Sequence, residues 1–402
     1  NDSHRAWRAY VRDFVEREII ATISQWGEDA APPKEIYRKM GAAGLIAAMT
    51  GVPFPFKYVP ASVAERIPKD YDYFHELILF DEIARCGMAA PFAALTNGPA
   101  IALPALMRFG TDDLIERVVP GCLAGEDFVA LAISEPNAGS DVAGLSCTAT
   151  RQGDVYVVNG VKKWITNGVY ARWFVTAVVT GERGQGGLSF LVIERDTPGF
   201  QIRKLNIRSS DMSGTAYLVF ENVRVPVAQR IGAENKGFKL IMFNFNHERF
   251  YICCTVARLA RVCLEESIRY AMQRQTFGKK LWEHQTIRMK IAKMARGVEQ
   301  FQTWLEFVAY QLNTMSHEEA NMRVGDIMCL LKAQASKVYE MCARETTMVF
   351  GGNALHVGGR GSKIEPAVGQ VKGYQIPAGA EDVMDDFAAR TAFKLATHMA
   401  KL

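Results

Sequence analysis

The sequence predicts an α+β protein in which a central set of β-strands is flanked by helices in the chain before it and after it. Three observations predict this: helix-like apolar spacing up to about Gly125, short β-branched and aromatic runs from Leu131 to Pro226, and a return of the helical period after Gly237. A chain of 402 residues exceeds the size at which one hydrophobic core stops growing, so more than one module is expected. The expected boundaries are 1–128 for a helical domain, 129–236 for a small antiparallel β-barrel, and 237–402 for a second helical domain.

In the first domain, Tyr73, Leu77, Leu79 and Ile83 lie among charged residues as on a helix, and Ala100 to Met107 forms a further apolar run. The stretch Val52 to Tyr71 is rich in proline and reads as a surface excursion between helices. Strands are expected at Val155 to Val158, Trp173 to Val179, Leu188 to Ile193 and Ala216 to Phe220, with the sheet closing near Pro226. Long helices follow, broken near Asn313 to Glu318 and at the glycine cluster Gly351 to Gly361.

Composition narrows the functional classes. Hydrophobic residues make up 49% and charged residues 22% of the chain, enough apolar material for a large core. A net charge of +4 is a weak balance for this length and argues against a nucleic-acid binder, which concentrates basic residues in a stripe. The eight cysteines show no C-x-x-C pair and no metal-ligand spacing, so buried free thiols in a reducing, intracellular setting are expected, with no bound metal. No run reaches membrane-spanning length without charge, and no secretory signal is present. The tail Ala400-Lys401-Leu402 is close to the Ser-Lys-Leu peroxisomal address, which makes the peroxisomal matrix the expected compartment and the mitochondrial matrix the alternative.

Two segments carry the chemistry. LAISEPNAGSDVAG, Leu131 to Gly144, is a non-periodic run of small and hydroxyl residues whose backbone N–H groups are available to an anionic or electron-rich ligand. VNGVKKWITNG, Val158 to Gly168, places the flat ring of Trp164 two residues before the Thr166 hydroxyl and just ahead of Asn167-Gly168, a hairpin-type turn. A third feature is a carboxylate on an apolar face. With Lys236 to Tyr270 read as one helix, Phe245, Glu248, Ile252, Val256, Leu259 and Cys263 share a side, and burial there would raise the basicity of Glu248. The competing reading is a structural ion pair with the flanking His247 or Arg249.

The first two segments, in this order and spacing, resemble the flavin-binding region of the acyl-CoA dehydrogenases. RQTFGKKLWEHQ, Arg274 to Gln285, and YQIPAGAEDVMDDFAAR, Tyr374 to Arg390, resemble two further signatures of that family, so the resemblance covers nearly the whole chain. It implies an N-terminal helical domain, a β-barrel and a C-terminal four-helix bundle, FAD as cofactor, and a homotetramer. The implied reaction is α,β-dehydrogenation of an acyl-CoA, with electron-transfer flavoprotein or oxygen as acceptor. A flavin oxidase or a desaturase of carrier-bound acyl groups on the same fold, and a non-catalytic scaffold protein, are the alternatives.

The resemblance assigns Leu131, Ile133 and Ser134 to the edge of the flavin ring, and Trp164 and Thr166 to stacking on and hydrogen-bonding it. Arg274, Thr276, Phe277, Gln285 and Gly352 would reach the adenosine diphosphate portion of a neighbouring subunit's FAD, with Ala380 and Asp382 at flavin-binding positions. Ser140, Asn246 and Arg249 would meet the acyl-CoA. In most of the family the catalytic base is a Glu at the position of Ala378; a branch that includes the isovaleryl-CoA and long-chain enzymes carries it on the preceding long helix, in a Glu-Arg pair. Here Ala378 leaves only its backbone N–H as a donor, and Glu248-Arg249 stands at the alternative place. Met348, Ala354, Ala380, Asp382 and Gly369-Gln370 depart from the family's flavin-binding residues, and Pro377 stiffens the segment next to the reacting carbons.

Overall fold

The computed structural model describes residues 1–26, 32–207, 211–316, 319–320, 323–356 and 359–399. Ala400, Lys401 and Leu402 lie outside the described residues. The chain forms two compact units, Asn1–Asp72 with Ala90–Glu248, and Tyr73–Ala89 with Arg249–Leu402.

In the first unit, helix Asp2–Phe14 starts where the Asn1 side chain accepts a hydrogen bond from His4 N at 2.9 Å, and it buries Trp7, Val11 and Phe14 at helical spacing. The proline-rich stretch 52–71 is an excursion pinned by buried Phe54, Val63, Ile67 and Tyr71, and the Tyr71 hydroxyl donates to Ala48 O at 2.8 Å. One helical run, Ala89–Phe109, does reach membrane-spanning length and apolarity, contrary to expectation, but most of it is buried inside the protein.

Strands β1 (Val129–Ala132), β2 (Thr148–Gln152), β3 (Val155–Ile165), β4 (Trp173–Val179), β5 (Leu188–Glu194), β6 (Phe200–Lys204), β7 (Ala216–Pro226) and β8 (Arg230–Ile231) form one sheet in the order β6-β7-β3-β2-β4-β5-β8, with β1 beside β4. The expected order was purely antiparallel, yet β1 and β2 both pair with β4 in parallel. The reason is a crossover: after β3 the chain passes its partner β2 and enters β4, so Asn167-Gly168 opens this connection and is not a hairpin turn. Asn167 is fully buried there at φ 63°, its N–H donating to Ser213 O and its side-chain amide to Ala94 O. Strand β4 is buried along its whole length and β5 nearly so, which explains why both read as continuous apolar runs.

From Gly237 onward the described residues contain four long helices, Gly237–Gln273, Gln285–Thr314, Gly325–Phe350 and Glu381–Met399. The second unit also holds helix Tyr73–Ile83, whose buried Asp81 receives a two-pronged bond from Arg258 at 2.7 and 2.8 Å. All eight cysteines are buried and free. Burial pushes the Cys86 and Cys147 thiols up to about 11 and Cys263 to about 12. Native protein is therefore expected to resist iodoacetamide at pH 8 and to take up label on all eight thiols after denaturation; rapid labelling of several native thiols would contradict this packing.

Candidate active site

The side chains singled out by the sequence fall into two groups, one in each unit. In the first, one backbone and one side-chain hydrogen bond lock the end of β1 to the end of β3: Lys163 N donates to Ser134 O at 2.9 Å, and Lys162 Nζ donates to Ile133 O at 2.9 Å. Leu131, Ile133, Ser134, Trp164 and Thr166 are thereby gathered on neighbouring backbone. Beneath them Lys162, fully buried, also meets Glu135 Oε1 at 2.8 Å, and the Glu135 carboxylate accepts from Ser146 N, Ser146 Oγ and Cys147 N. Burial alone would raise the Glu135 carboxyl, but Lys162 and these donors outweigh it and hold the group below the usual carboxylate range.

Trp164 owes its position to a β-bulge. Lys162 pairs with Leu218 and Ile165 with Ala216, so β3 spends one residue more than β7 over this interval. In a regular strand Trp164 would share the buried face of Lys162. With the extra residue it adopts φ 67° and leaves its indole 53% exposed, with Lys163 Nζ 4.4 Å from the ring centroid. A bulky residue in the left-handed region is costly and persists only where its surroundings impose it, most often at functional sites. An outward-facing aromatic ring beside the polar backbone of Leu131–Ser134 fits a flat, partly polar ring such as a flavin. Ser140 is exposed in the following loop, and nothing stands within 4 Å of a Cβ placed at Gly139, so the loop leaves room above it.

The Glu248 helix begins against the sheet. Thr180 Oγ1 donates to Asn235 Oδ1 at 2.7 Å, Asn235 N donates to Ser189 Oγ at 2.8 Å, and a Cβ at Gly237 would meet Ser189 Cα at 2.8 Å. Only glycine lets the helix start this close to β5. Asn244 Nδ2 then donates to Ile101 O at 2.7 Å. About one turn past Asn244, Glu248 and Arg249 are buried and Asn246 partly buried, while Ile252, Val256, Leu259 and Cys263 lie buried as the helical spacing requires.

In the second unit, Arg274 opens a hairpin of β9 (Gln275–Thr276) and β10 (Lys279–Lys280) closed by Phe277 and Gly278 at φ 50° and 76°. Gln275 and Thr276 pair with Lys280 and Lys279, Thr276 Oγ1 lies 3.3 Å from His284 Nε2, and Gln285 starts the next helix. Phe277 is 95% exposed, and Arg274 and Gln285 are exposed with it. A small core of Tyr270, Phe350, Ala354 and Ile364, with Leu281 and Ile287 against it, ties this hairpin to the segment Gly351–Leu355 that carries Gly352. The guanidinium of Arg274 suits a pyrophosphate. Ala354 fills this core, and Gln370 accepts from Ala89 N at 3.0 Å, so two of the departures from the family pattern have structural uses here.

Ala378 adopts φ 55°, and its carbonyl accepts from Arg249 Nε at 3.1 Å. Ala380 and Asp382 follow at the start of the last helix, Asp382 exposed. The sequence reading missed Glu135, Lys162 and Lys332. Lys162 gave a signal, since it falls in the inward phase of β3 with Tyr156 and Val158; Lys332 gave one as a charge among the apolar and small residues Cys329, Ala333 and Ser336.

Profiles of the acyl-CoA dehydrogenase N-terminal, middle and C-terminal domains match residues 1–126, 130–223 and 235–393. The acyl-CoA dehydrogenase apdG of Emericella nidulans is 35% identical over 402 residues, covering 98% of this chain and 92% of its own. An acyl-CoA dehydrogenase of Alternaria alternata is 35% identical over 400 residues, covering 96% and 91%. The crystal structure of a probable acyl CoA dehydrogenase from Mycobacterium abscessus has the same fold with a TM-score of 0.86 at 34% identity, covering 96% of this chain and 97% of that one. With all three domain profiles and nearly the whole length matched, the chain belongs to the acyl-CoA dehydrogenase family and is an FAD-dependent oxidoreductase of that family.

Proposed function

We propose that this enzyme removes the α-proton of an acyl-CoA thioester with Glu248 and forms the trans-2-enoyl-CoA. The observation that carries the proposal is a buried carboxylate at position 248 in a family member whose usual base position holds Ala378. A thioester α-proton is weakly acidic, and a carboxylate shielded from water is the stronger base toward it. FAD, when bound, supplies the acceptor for the β-hydrogen and its electron pair. Leu131, Ile133, Ser134, Trp164 and Thr166 hold the flavin ring; Ser140, Asn246 and Arg249 receive the acyl-CoA; and the Ala378 N–H donates to the thioester oxygen as negative charge develops. The retained Glu248 disfavours a non-catalytic scaffold. Electron-transfer flavoprotein or oxygen takes the electrons onward. Anaerobic addition of straight, branched and aromatic acyl-CoAs tests the reading: at least one class should bleach the flavin absorbance within seconds, and an FAD-loaded enzyme that no acyl-CoA bleaches would refute it.

The exposed hairpin supports a homo-oligomer, tetrameric as is usual in the family. A phenylalanine 95% exposed at a positive φ offers a large apolar surface to a second copy, and Arg274 beside it would hold the pyrophosphate of that copy's FAD. Arg274→Ala should weaken FAD retention and loosen the assembly together, because one contact serves both. Size-exclusion chromatography with flavin quantification checks it; variant protein that dissociates while keeping all its FAD would separate the two roles.

A further inference from the structure

Two cations from different helices converge on one turn. The segment Gln375–Gly379 connects helix Lys372–Gln375 to helix Glu381–Met399 through two left-handed residues, Ala378 at φ 55° and Gly379 at φ 107°. Lys332, fully buried on helix Gly325–Phe350, donates from Nζ to Gln375 O at 3.0 Å and to Gly379 O at 2.6 Å. Arg249 Nε donates to Ala378 O at 3.1 Å. The first and last carbonyls of the turn are thus clasped by one ammonium, and the carbonyl between them is drawn to a guanidinium.

This clasp has a consequence for the Ala378 N–H. An alanine stays in the left-handed region only when its neighbours over-determine it, and here the determinants are the three charge-assisted hydrogen bonds. The positive field extends beyond the carbonyls. Burial drives the Cys253 thiol upward, while Lys332 and Arg249 both pull against that rise by favouring an anion nearby; both act in the same sense on Cys329.

We propose that Lys332 is a positioning residue for the reaction: by clasping Gln375 O and Gly379 O it fixes the turn so that the Ala378 N–H faces the thioester oxygen, and its charge favours the enolate over the neutral thioester. The inference rests on the assignment of the Ala378 N–H to that oxygen. It adds a residue that touches neither substrate nor flavin.

The test uses FAD-loaded full-length enzyme and acetoacetyl-CoA, whose α-protons are acidic enough to give a bound enolate without reducing the flavin. Enolate absorbance is titrated against pH in wild type, Lys332→Met, Lys332→Gln and Lys332→Arg. Lys332→Met should raise the apparent pKa of the bound probe by about one unit or more and slow flavin reduction by a true substrate by up to about 10²-fold, the loss reached if the Ala378 N–H no longer serves as an oxyanion donor, with little change in KM. Lys332→Arg, which keeps the charge, should recover part of the shift. If Lys332→Met folds, retains FAD and titrates the probe as wild type does, the proposal is overturned. Should Lys332→Met fail to fold, the same wild-type titration by Lys332→Gln overturns it equally. Glu248→Gln run in parallel separates the two claims: undiminished flavin reduction there defeats the functional reading, whereas slow Glu248→Gln with wild-type enolate titration in the Lys332 variants defeats only this inference.

Discussion

Glu248→Gln is expected to bind FAD and acyl-CoA much as the wild type does and to reduce its flavin roughly 10²–10⁴ times more slowly, the loss typical of a missing general base. The substitution keeps the shape of a side chain that is buried on the long helix and removes its basicity. Ala378→Gly in the same assay should change little, because φ 55° is a conformation glycine adopts without penalty and the backbone N–H survives. Stopped-flow reduction under anaerobic conditions measures both variants. Near-normal rates for Glu248→Gln would move suspicion to Glu381, whose carboxylate has one buried oxygen close to the Ala378 turn, or to Asp382.

The contrast between Glu248 and Trp164 explains how far the sequence alone could be read. Helical period is carried by side-chain spacing, so one wrongly placed carboxylate among Ile252, Val256 and Leu259 stands out in the bare sequence, and the structure places all of these on the buried side of a single helix. The position of Trp164 depends instead on register. A strand read with strict alternation would bury it beside Lys162, and only the extra residue between Lys162 and Ile165 turns the indole outward. The same limit hid the sheet order. That β4 lies against β1 and β2 in parallel follows from a crossover that no local pattern encodes.

The long-range polar contacts were equally invisible. Lys332 reaches carbonyls 43 and 47 residues further along the chain, and Glu135 reaches Lys162 at a separation of 27 residues. A charged side chain in the inward phase of a strand signals that a partner must exist, because an isolated buried ammonium is too costly to keep. It does not say which residue answers it. The partner proved to be Glu135, within the Leu131–Gly144 motif, which ties that motif to the sheet beneath it.

That link predicts the largest stability effect in the chain. Lys162→Met removes the cation that, among the described residues, pairs with the Glu135 carboxylate, and should cost roughly 3–5 kcal/mol, the usual loss when one partner of a buried pair is deleted. Glu135→Gln should also destabilise, because it leaves the fully buried Lys162 ammonium without its counter-charge. Because Lys162 also holds that carbonyl, loosening it frees the end of β1, and FAD should be released at lower urea concentration than the bulk helical signal is lost. The double variant Lys162→Met, Glu135→Gln leaves no buried charge behind and should be more stable than either single one, a coupling that a double-mutant cycle isolates. The pH dependence follows from the depressed Glu135 carboxyl. Its contribution is present above the unfolded value of about 4.3 and fades as pH falls through the lower folded value, so wild type should lose stability on acidification in that range more steeply than Glu135→Gln. Urea unfolding followed by circular dichroism and by flavin fluorescence, between pH 3 and 7, measures all of these. Single variants with wild-type midpoints, or a double variant no more stable than the weaker single, would show that the pair does not support the flavin loop.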